Sequence, residues 1–363
     1  MSQSLEALSQ AGVSIWLDDL SRDRLQSGSL AKLISDSHVV GVTTNPSIFS
    51  AAISGSSLYK EDILALKSEG LQASDVVTEL TTSDVRSACD LFMPTFLETN
   101  QVDGRVSIEV DPRLAYNTEE TIAQGKHLHA LVNRPNLLIK VPATLDGLPA
   151  IEELTAQGIS VNVTLIFSTP RYEAVMDAYL RGIERRVSNN LPVSDIHSVA
   201  SFFISRIDGD IDKKLDAISP QHPLRGKAAI ANATVAYEAY LKVLQSTRWK
   251  KLSEFGAHMQ RPLWASTGVK DKAYDSTRYV VELVAQNCVN TMPEGTLNEV
   301  REHGVVRGDS ISSQIQSSHQ IMSDLASAGI DFTAAVNFLE DDGVRKFEKA
   351  WEELLANVEA VSE

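Results

Sequence analysis

Lys140 stands where a lysine is costly, and that makes it the first candidate for chemistry. It interrupts the apolar run Asn-Leu-Leu-Ile-Lys-Val-Pro-Ala (136–143), which reads as a strand that stops at Pro142. Period-two alternation puts Leu138 and Lys140 on one face, and Leu137, Ile139 and Val141 on the other. The outward face of a barrel strand packs on helices, so the apolar trio belongs outside and Lys140 points inward. A free lysine amine, with a pKa of about 10.4, is almost wholly protonated at neutral pH. Burial disfavours the ammonium, and a neutral amine attacks a carbonyl to form an imine. The bland alternative is a lysine that pairs with a carboxylate for stability or snorkels to water. For a lone buried lysine the two readings weigh about equally.

Two carboxylates shift that balance. In Ser-Ile-Trp-Leu-Asp-Asp-Leu, alternation aligns Ser14, Trp16 and Asp18 and sends Asp19 to the other face. The bland role here is an N-cap for the helix that follows, and Asp19 fits it at least as well as Asp18. In Val-Ser-Ile-Glu-Val-Asp-Pro, Ser107, Glu109 and Asp111 share a face. Asp111 precedes Pro112 and reads as a turn residue, which leaves Glu109 as the interior carboxylate. Thr164 follows Asn162 on one face of Val-Asn-Val-Thr-Leu, and Asn45 ends Gly-Val-Thr-Thr-Asn-Pro. Taken singly, these asparagines read as turn or cap residues. An ammonium and two carboxylates meeting in a lumen form a proton-transfer set around an imine. One group shuttles protons while water leaves, and another takes a hydroxyl proton as a carbon–carbon bond breaks.

Such a set needs strands that end together. Short β-branched runs recur at 14–17, 39–43, 106–110, 137–141, 161–167, 198–204, 262–266 and 288–292, the last carrying the weakest pattern. Helical signatures lie between them at 116–132, 148–157, 170–188, 227–245 and 276–285. Strand–helix alternation predicts a parallel sheet with right-handed crossovers, and eight units predict a closed (β/α)8 barrel whose site lies at the C-terminal mouth. Extra helix is expected at 4–11, 311–328 and 332–358. The stretch from Val344 to Leu355 is amphipathic, with Val344, Phe347, Trp351, Leu354 and Leu355 on one face. These helices read as caps on one barrel domain spanning 1–363, since no linker or low-complexity segment divides the chain.

Composition excludes other classes. The net charge of -15 argues against nucleic acid and anionic membranes as partners, because the long-range field repels both. A phosphorylated substrate then requires local cations. The two cysteines form no CxxC pair, and no zinc site or disulfide framework suggests itself. No apolar run approaches the ~20 residues of a membrane span, and the first residues lack a signal peptide's basic and apolar regions. A reducing cytoplasm is the expected compartment. Asn162-Val-Thr164 and Asn232-Ala-Thr234 match the glycosylation pattern without a secretion signal. There is no GxGxxG after a strand and no Walker loop. His127 and His129 lie two apart on a predicted helix and do not face each other.

Four strings resemble transaldolase in content, order and spacing. They are Gly-Val-Thr-Thr-Asn-Pro-Ser-Ile-Phe (41–49), Ser-Ile-Glu-Val-Asp-Pro-Arg-Leu-Ala (107–115), Leu-Ile-Lys-Val-Pro-Ala-Thr (138–144) and Gly-Ile-Ser-Val-Asn-Val-Thr-Leu-Ile-Phe-Ser (158–168). The similarity runs over most of the chain. Together with Trp-Ala-Ser-Thr-Gly-Val-Lys (264–270) it looks like the longer branch found in actinobacteria and cyanobacteria, within the Schiff-base aldolases. The resemblance implies transfer of a dihydroxyacetone unit in the pentose phosphate pathway. Sedoheptulose 7-phosphate or fructose 6-phosphate would be the donor, and glyceraldehyde 3-phosphate or erythrose 4-phosphate the acceptor. Lys140 would form the imine at C2, Glu109 and Thr164 would hold the water of that step, and Asp18 would take the C4 hydroxyl proton. Asn45, Asn162 and Ser201 would hydrogen-bond the bound unit. Arg206 would bind phosphate, with Ser266 and Lys270. The protonated imine is the electron sink, so the resemblance implies neither metal nor cofactor. The better-known branch is expected to place an arginine two residues after the serine. Here Gly268 stands there, so Lys270 is the weaker assignment and Lys272 a substitute. The alternative for Arg206 is a surface ion pair with Asp208 or Asp210.

Two other readings stay open at this level. One is another lysine-imine barrel, such as an aldolase that releases free dihydroxyacetone or a deoxyribose-phosphate aldolase. The other is a barrel that kept the fold and binds without catalysis. The chain is expected as a monomer or homodimer.

Overall fold

The computed structural model describes residues 3–362. Eight parallel strands run β1 (Val13–Leu17), β2 (Val39–Val42), β3 (Arg105–Glu109), β4 (Leu137–Pro142), β5 (Val161–Ile166), β6 (Ser198–Phe203), β7 (Arg261–Ala265) and β8 (Cys288–Met292). They pair in chain order, and β8 returns to β1 to close a barrel. The β-branched runs form strands because both faces are buried, one in the lumen and one under helices.

The lumen is packed, not open. Trp16 on β1 is fully buried, and it fits because its neighbour on β2 is Gly41. A Cβ at Gly41 would lie 2.5 Å from the Trp16 indole. Ladder lengths around the barrel are unequal. The β2–β3 register has two pairs, Gly41↔Arg105 and Val42↔Val106, and the β7–β8 register two, Leu263↔Val289 and Trp264↔Asn290. The β1–β8 and β6–β7 ladders each hold five pairs.

Helices start where side chains cap them. Asn45, Asn117, Ser168 and Asp331 each accept from a backbone N–H in the first turn of the following helix. Asp19 does not cap the helix after β1. Ser21 does, and Asp19 pairs with Arg24 instead. The predicted helix at 276–285 shrinks to Arg278–Val281. Its carbonyls are diverted: Asn290 Nδ2 donates to the Tyr279 carbonyl at 3.2 Å, and Trp264 Nε1 to that of Leu283 at 3.1 Å. The long helix Ala73–Glu98, with Pro94 inside it, and the helix Ser205–Ile218 after β6 lie beyond the helical stretches read from sequence.

The last helix, Phe332–Ala360, packs against the helices Pro46–Gly55, Ala73–Glu98 and Ser205–Ile218. Gly343 lets it come close. A Cβ there would sit 2.9 Å from Leu165 Cδ2 and 3.6 Å from Arg206 Nη1. Among the described residues no helix is long and apolar enough to cross a membrane.

Candidate active site

Strand register builds the centre. Glu109 on β3 pairs with Lys140 on β4, and Lys140 with Asn162 on β5. Three polar side chains therefore stand in a row, all buried. Lys140 is 4% exposed. Its Nζ lies 3.1 Å from Glu109 Oε2 and donates to the Thr44 carbonyl at 2.9 Å. The Phe347 ring centroid, on the last helix, is 5.6 Å from that nitrogen. Burial pushes the Glu109 carboxyl up to about 7 despite the opposing pull of Lys140.

A cavity of about 190 Å³ lies at the strands' C-terminal ends. It brings together Asp18, Asn45, Lys140, Thr164, Ser201, Arg206, Ser266 and Lys270. Every site residue expected from sequence lines it except Glu109 and Asn162, which lie beneath. Asn162 Nδ2 donates to Ser107 Oγ at 2.9 Å, and its Oδ1 accepts from Ser201 Oγ at 2.8 Å. It thus ties Ser201, at the cavity wall, to β3. Thr164 Oγ1 and Glu109 Oε1 have no hydrogen-bond partner among the described residues, while Glu109 Oε2 faces Lys140 Nζ. The β5–β6 register shifts between Val163 and Ile166, where Leu165 adopts a left-handed φ of 60°. Such a bulge re-aims side chains, here next to Thr164.

Asp18 closes the opposite wall. Thr43 Oγ1 lies 2.6 Å from both Asp18 Oδ1 and Thr291 Oγ1. Burial raises the Asp18 carboxyl above its ordinary range, opposed by Lys140 and Thr43. Asn45 does both jobs weighed for it. Its Oδ1 caps the helix by accepting from the Ile48 N–H at 3.0 Å, and the residue also lines the cavity.

Cations gather at the mouth. Arg206 opens the helix after β6 and makes no ion pair among the described residues, with Nη1 buried and unpartnered. The alternative pairing fails because Asp208 accepts from Tyr279 and the Ala229 N–H, while Asp210 pairs with Lys214. Burial holds the Arg206 guanidinium below its usual value, with Asp342 and Asp18 opposing. Lys270 is also held low, by burial and then by Arg206, Lys346 and Lys213. These groups crowd positive charge at one place on an acidic protein. Ser266 adopts a left-handed φ of 56°, with its Oγ 3.0 Å from Ser205 Oγ.

Against this geometry the comparisons are decisive. The model for the transaldolase/fructose-6-phosphate aldolase family matches residues 15–358. The chain belongs to that family. A protein named transaldolase from Saccharopolyspora erythraea is 55% identical over 357 residues, covering 98% of this chain and 97% of its own. Transaldolase 1 of Streptomyces avermitilis is 54% identical over 98% of this chain and 95% of its own, and the transaldolase of Mycolicibacterium smegmatis is 54% identical over 97% and 95%. The resemblance read from four strings thus extends along the family member's whole length.

Sequence reading missed part of the cavity lining: Thr43, Phe203, Ser205, Thr291 and Phe347. Thr43 lies inside the 41–49 string and Phe203 two residues after Ser201, so position could have found them. Phe347 carried only the signal of an amphipathic face.

Proposed function

We propose that this chain is a transaldolase, moving a dihydroxyacetone unit from a ketose phosphate to an aldose phosphate through an imine on Lys140. The observation that carries this reading is the buried Lys140–Glu109 pair at the floor of a cavity with Asp18 on its wall and Arg206 at its mouth. The amine must be neutral to attack. Glu109, raised to about 7, can take the ammonium proton and later return it. Nζ then bonds to C2 of sedoheptulose 7-phosphate or fructose 6-phosphate. The carbinolamine loses its hydroxyl as water, protonated through Glu109 with Thr164 holding that water.

Cleavage follows. The Asp18 carboxylate takes the C4 hydroxyl proton, the C3–C4 bond breaks, and its electron pair flows into the protonated imine. Glyceraldehyde 3-phosphate or erythrose 4-phosphate leaves. The held enamine then attacks the aldehyde carbon of the acceptor, Asp18 returns its proton, and hydrolysis frees Lys140. Asn45 and Ser201 hydrogen-bond the held unit, with Asn162 fixing Ser201. Arg206 takes the phosphate, a task that suits a planar guanidinium, with Ser266 and Lys270 beside it. We take the barrel and its flanking helices as one domain, because the last helix supplies Phe347 to the cavity. This activity fits the pentose phosphate pathway and a cytoplasmic location.

Borohydride added with fructose 6-phosphate should leave a reduced adduct on the peptide containing Lys140. Turnover should stay slow until erythrose 4-phosphate or glyceraldehyde 3-phosphate is supplied. Free dihydroxyacetone released at full rate without an acceptor would reduce the reading to simple aldol cleavage. An unmodified Lys140 would remove the imine.

A further inference from the structure

A second cavity lies at the opposite end of the barrel, where the strands begin. It measures about 210 Å³ and is lined by Arg105 at the start of β3, His197 just before β6, Arg261 at the start of β7, and His258. Arg105 is 1% exposed. Its Nε and Nη2 both donate to the Gln101 carbonyl, at 2.9 and 2.6 Å, and its Nη1 has no acceptor among the described residues. His197 is buried, its Nε2 is likewise unpartnered, and its ring stacks on that of His258 at 4.0 Å.

Hydrogen-bonding atoms at this place lack partners. Asp103 is committed to Arg261 at 3.1 Å and also accepts from Ser14 Oγ and Trp16 Nε1. Asp103 also acts on Arg105, and Asp195 acts on His258. The two guanidinia therefore meet these two carboxylates, yet Arg105 Nη1 and His197 Nε2 keep no hydrogen-bond partner among the described residues. An arginine does not shed its proton at working pH, and a buried charge without a partner is costly. The strain is visible in the groups themselves. Burial, opposed by Asp103 and reinforced by Arg261, holds the Arg105 guanidinium down at about 9. Burial, then Arg105, His258 and Arg261, hold the His197 imidazole down at about 2. A negative charge between these groups would relieve all of them at once.

We propose that this cavity at the N-terminal mouth is a binding site for a phosphate group, either free inorganic phosphate or a small phosphomonoester, held by Arg105 with His197, His258 and Arg261. An oxyanion supplies the acceptor that Arg105 Nη1 lacks and accepts from the imidazole N–H groups as they gain protons. The volume is several times the roughly 30 Å³ share of one water. This end of a β/α barrel ordinarily carries stability rather than chemistry, so the ligand acts by binding the folded state. The site does not depend on the assignment of Lys140 or Arg206.

The test reads the histidines directly. Ring resonances of His197 and His258 in the full chain, assigned through His197→Gln and His258→Gln, are followed while inorganic phosphate or glycerol 2-phosphate is added. Both rings should move, and the pH at which they protonate should rise. The response should survive Arg206→Ala, which removes the cation at the other mouth, and vanish in Arg105→Met. A response to inorganic phosphate alone identifies the free ion, and one to glycerol 2-phosphate as well identifies the ester as a ligand. Should Arg105→Met fail to fold, the unmodified chain still decides. Unmoved rings at the highest phosphate concentration the folded chain tolerates overturn the proposal, as does an equal response to chloride at matched ionic strength.

Discussion

The Lys140–Glu109 pair makes two demands that pull apart. Catalysis needs the pair to pass a proton, while burial charges a cost for every ionised state. Lys140→Met should abolish turnover and borohydride trapping yet leave the fold intact. The reason lies in the partner: Glu109, already at about 7 beside an ammonium, simply stays protonated when that ammonium is gone. Near-normal turnover in Lys140→Met would refute the role. Asp18→Ala should still allow the trapped adduct, because imine formation does not use Asp18, while bond cleavage slows by roughly 10²–10⁴. Glu109 also makes a prediction about stability. Its folded value of about 7 exceeds its ordinary 4.5, so the folded state holds the proton longer than the unfolded one. Stability from this group is full below 4.5 and is lost as pH rises through about 7. Thermal melts of Glu109→Gln across that window should lack this decline, and the variant's pH–rate profile should lose its limb near 7.

At the scale of elements, the last helix reaches the site from far along the chain. Gly343 seats it against Leu165 and Arg206, and Phe347 faces Lys140. Gly343→Leu should push the helix out, destabilise the protein by about 1–3 kcal/mol and disturb Arg206. Steady-state kinetics should then show KM for the phosphorylated donor rising more than kcat falls; an unchanged KM would separate the helix from the phosphate end. Elements also explain what was readable in advance. The strands were legible within about a residue, since β-branched runs between turn residues carry a local signal. Lys140, Glu109 and Asp18 were legible because alternation alone sends them inward. The Ala73–Glu98 helix was not, because Pro94 argues locally against a helix that tertiary packing sustains. Phe347 was assigned to the apolar face of a cap, and no local pattern says what that face covers. The reach of the short helix at Arg278–Val281 depended on Asn290 and Trp264, which lie elsewhere in sequence.

For the whole molecule, a charge of -15 surrounds a mouth crowded with Arg206, Lys270, Lys346 and Lys213. The overall sign was plain from composition, but the local reversal appears only when the helix after β6, the loop after β7 and the last helix converge. The short β2–β3 and β7–β8 ladders have a wider consequence. These two weak seams divide the cylinder into an arc of β8, β1 and β2 and an arc of β3 to β7. The seams part the chemistry as well: Asp18 and Asn45 ride on the smaller arc, while Lys140, Glu109, Thr164, Ser201 and Arg206 ride on the larger. Amide protons bridging the seam, such as that of Gly104 to the Val40 carbonyl, should exchange with deuterium sooner than those of the five-pair ladders. Breathing along these lines would widen the gap between the group that makes the imine and the group that breaks the sugar, while the amine keeps its own carboxylate beside it.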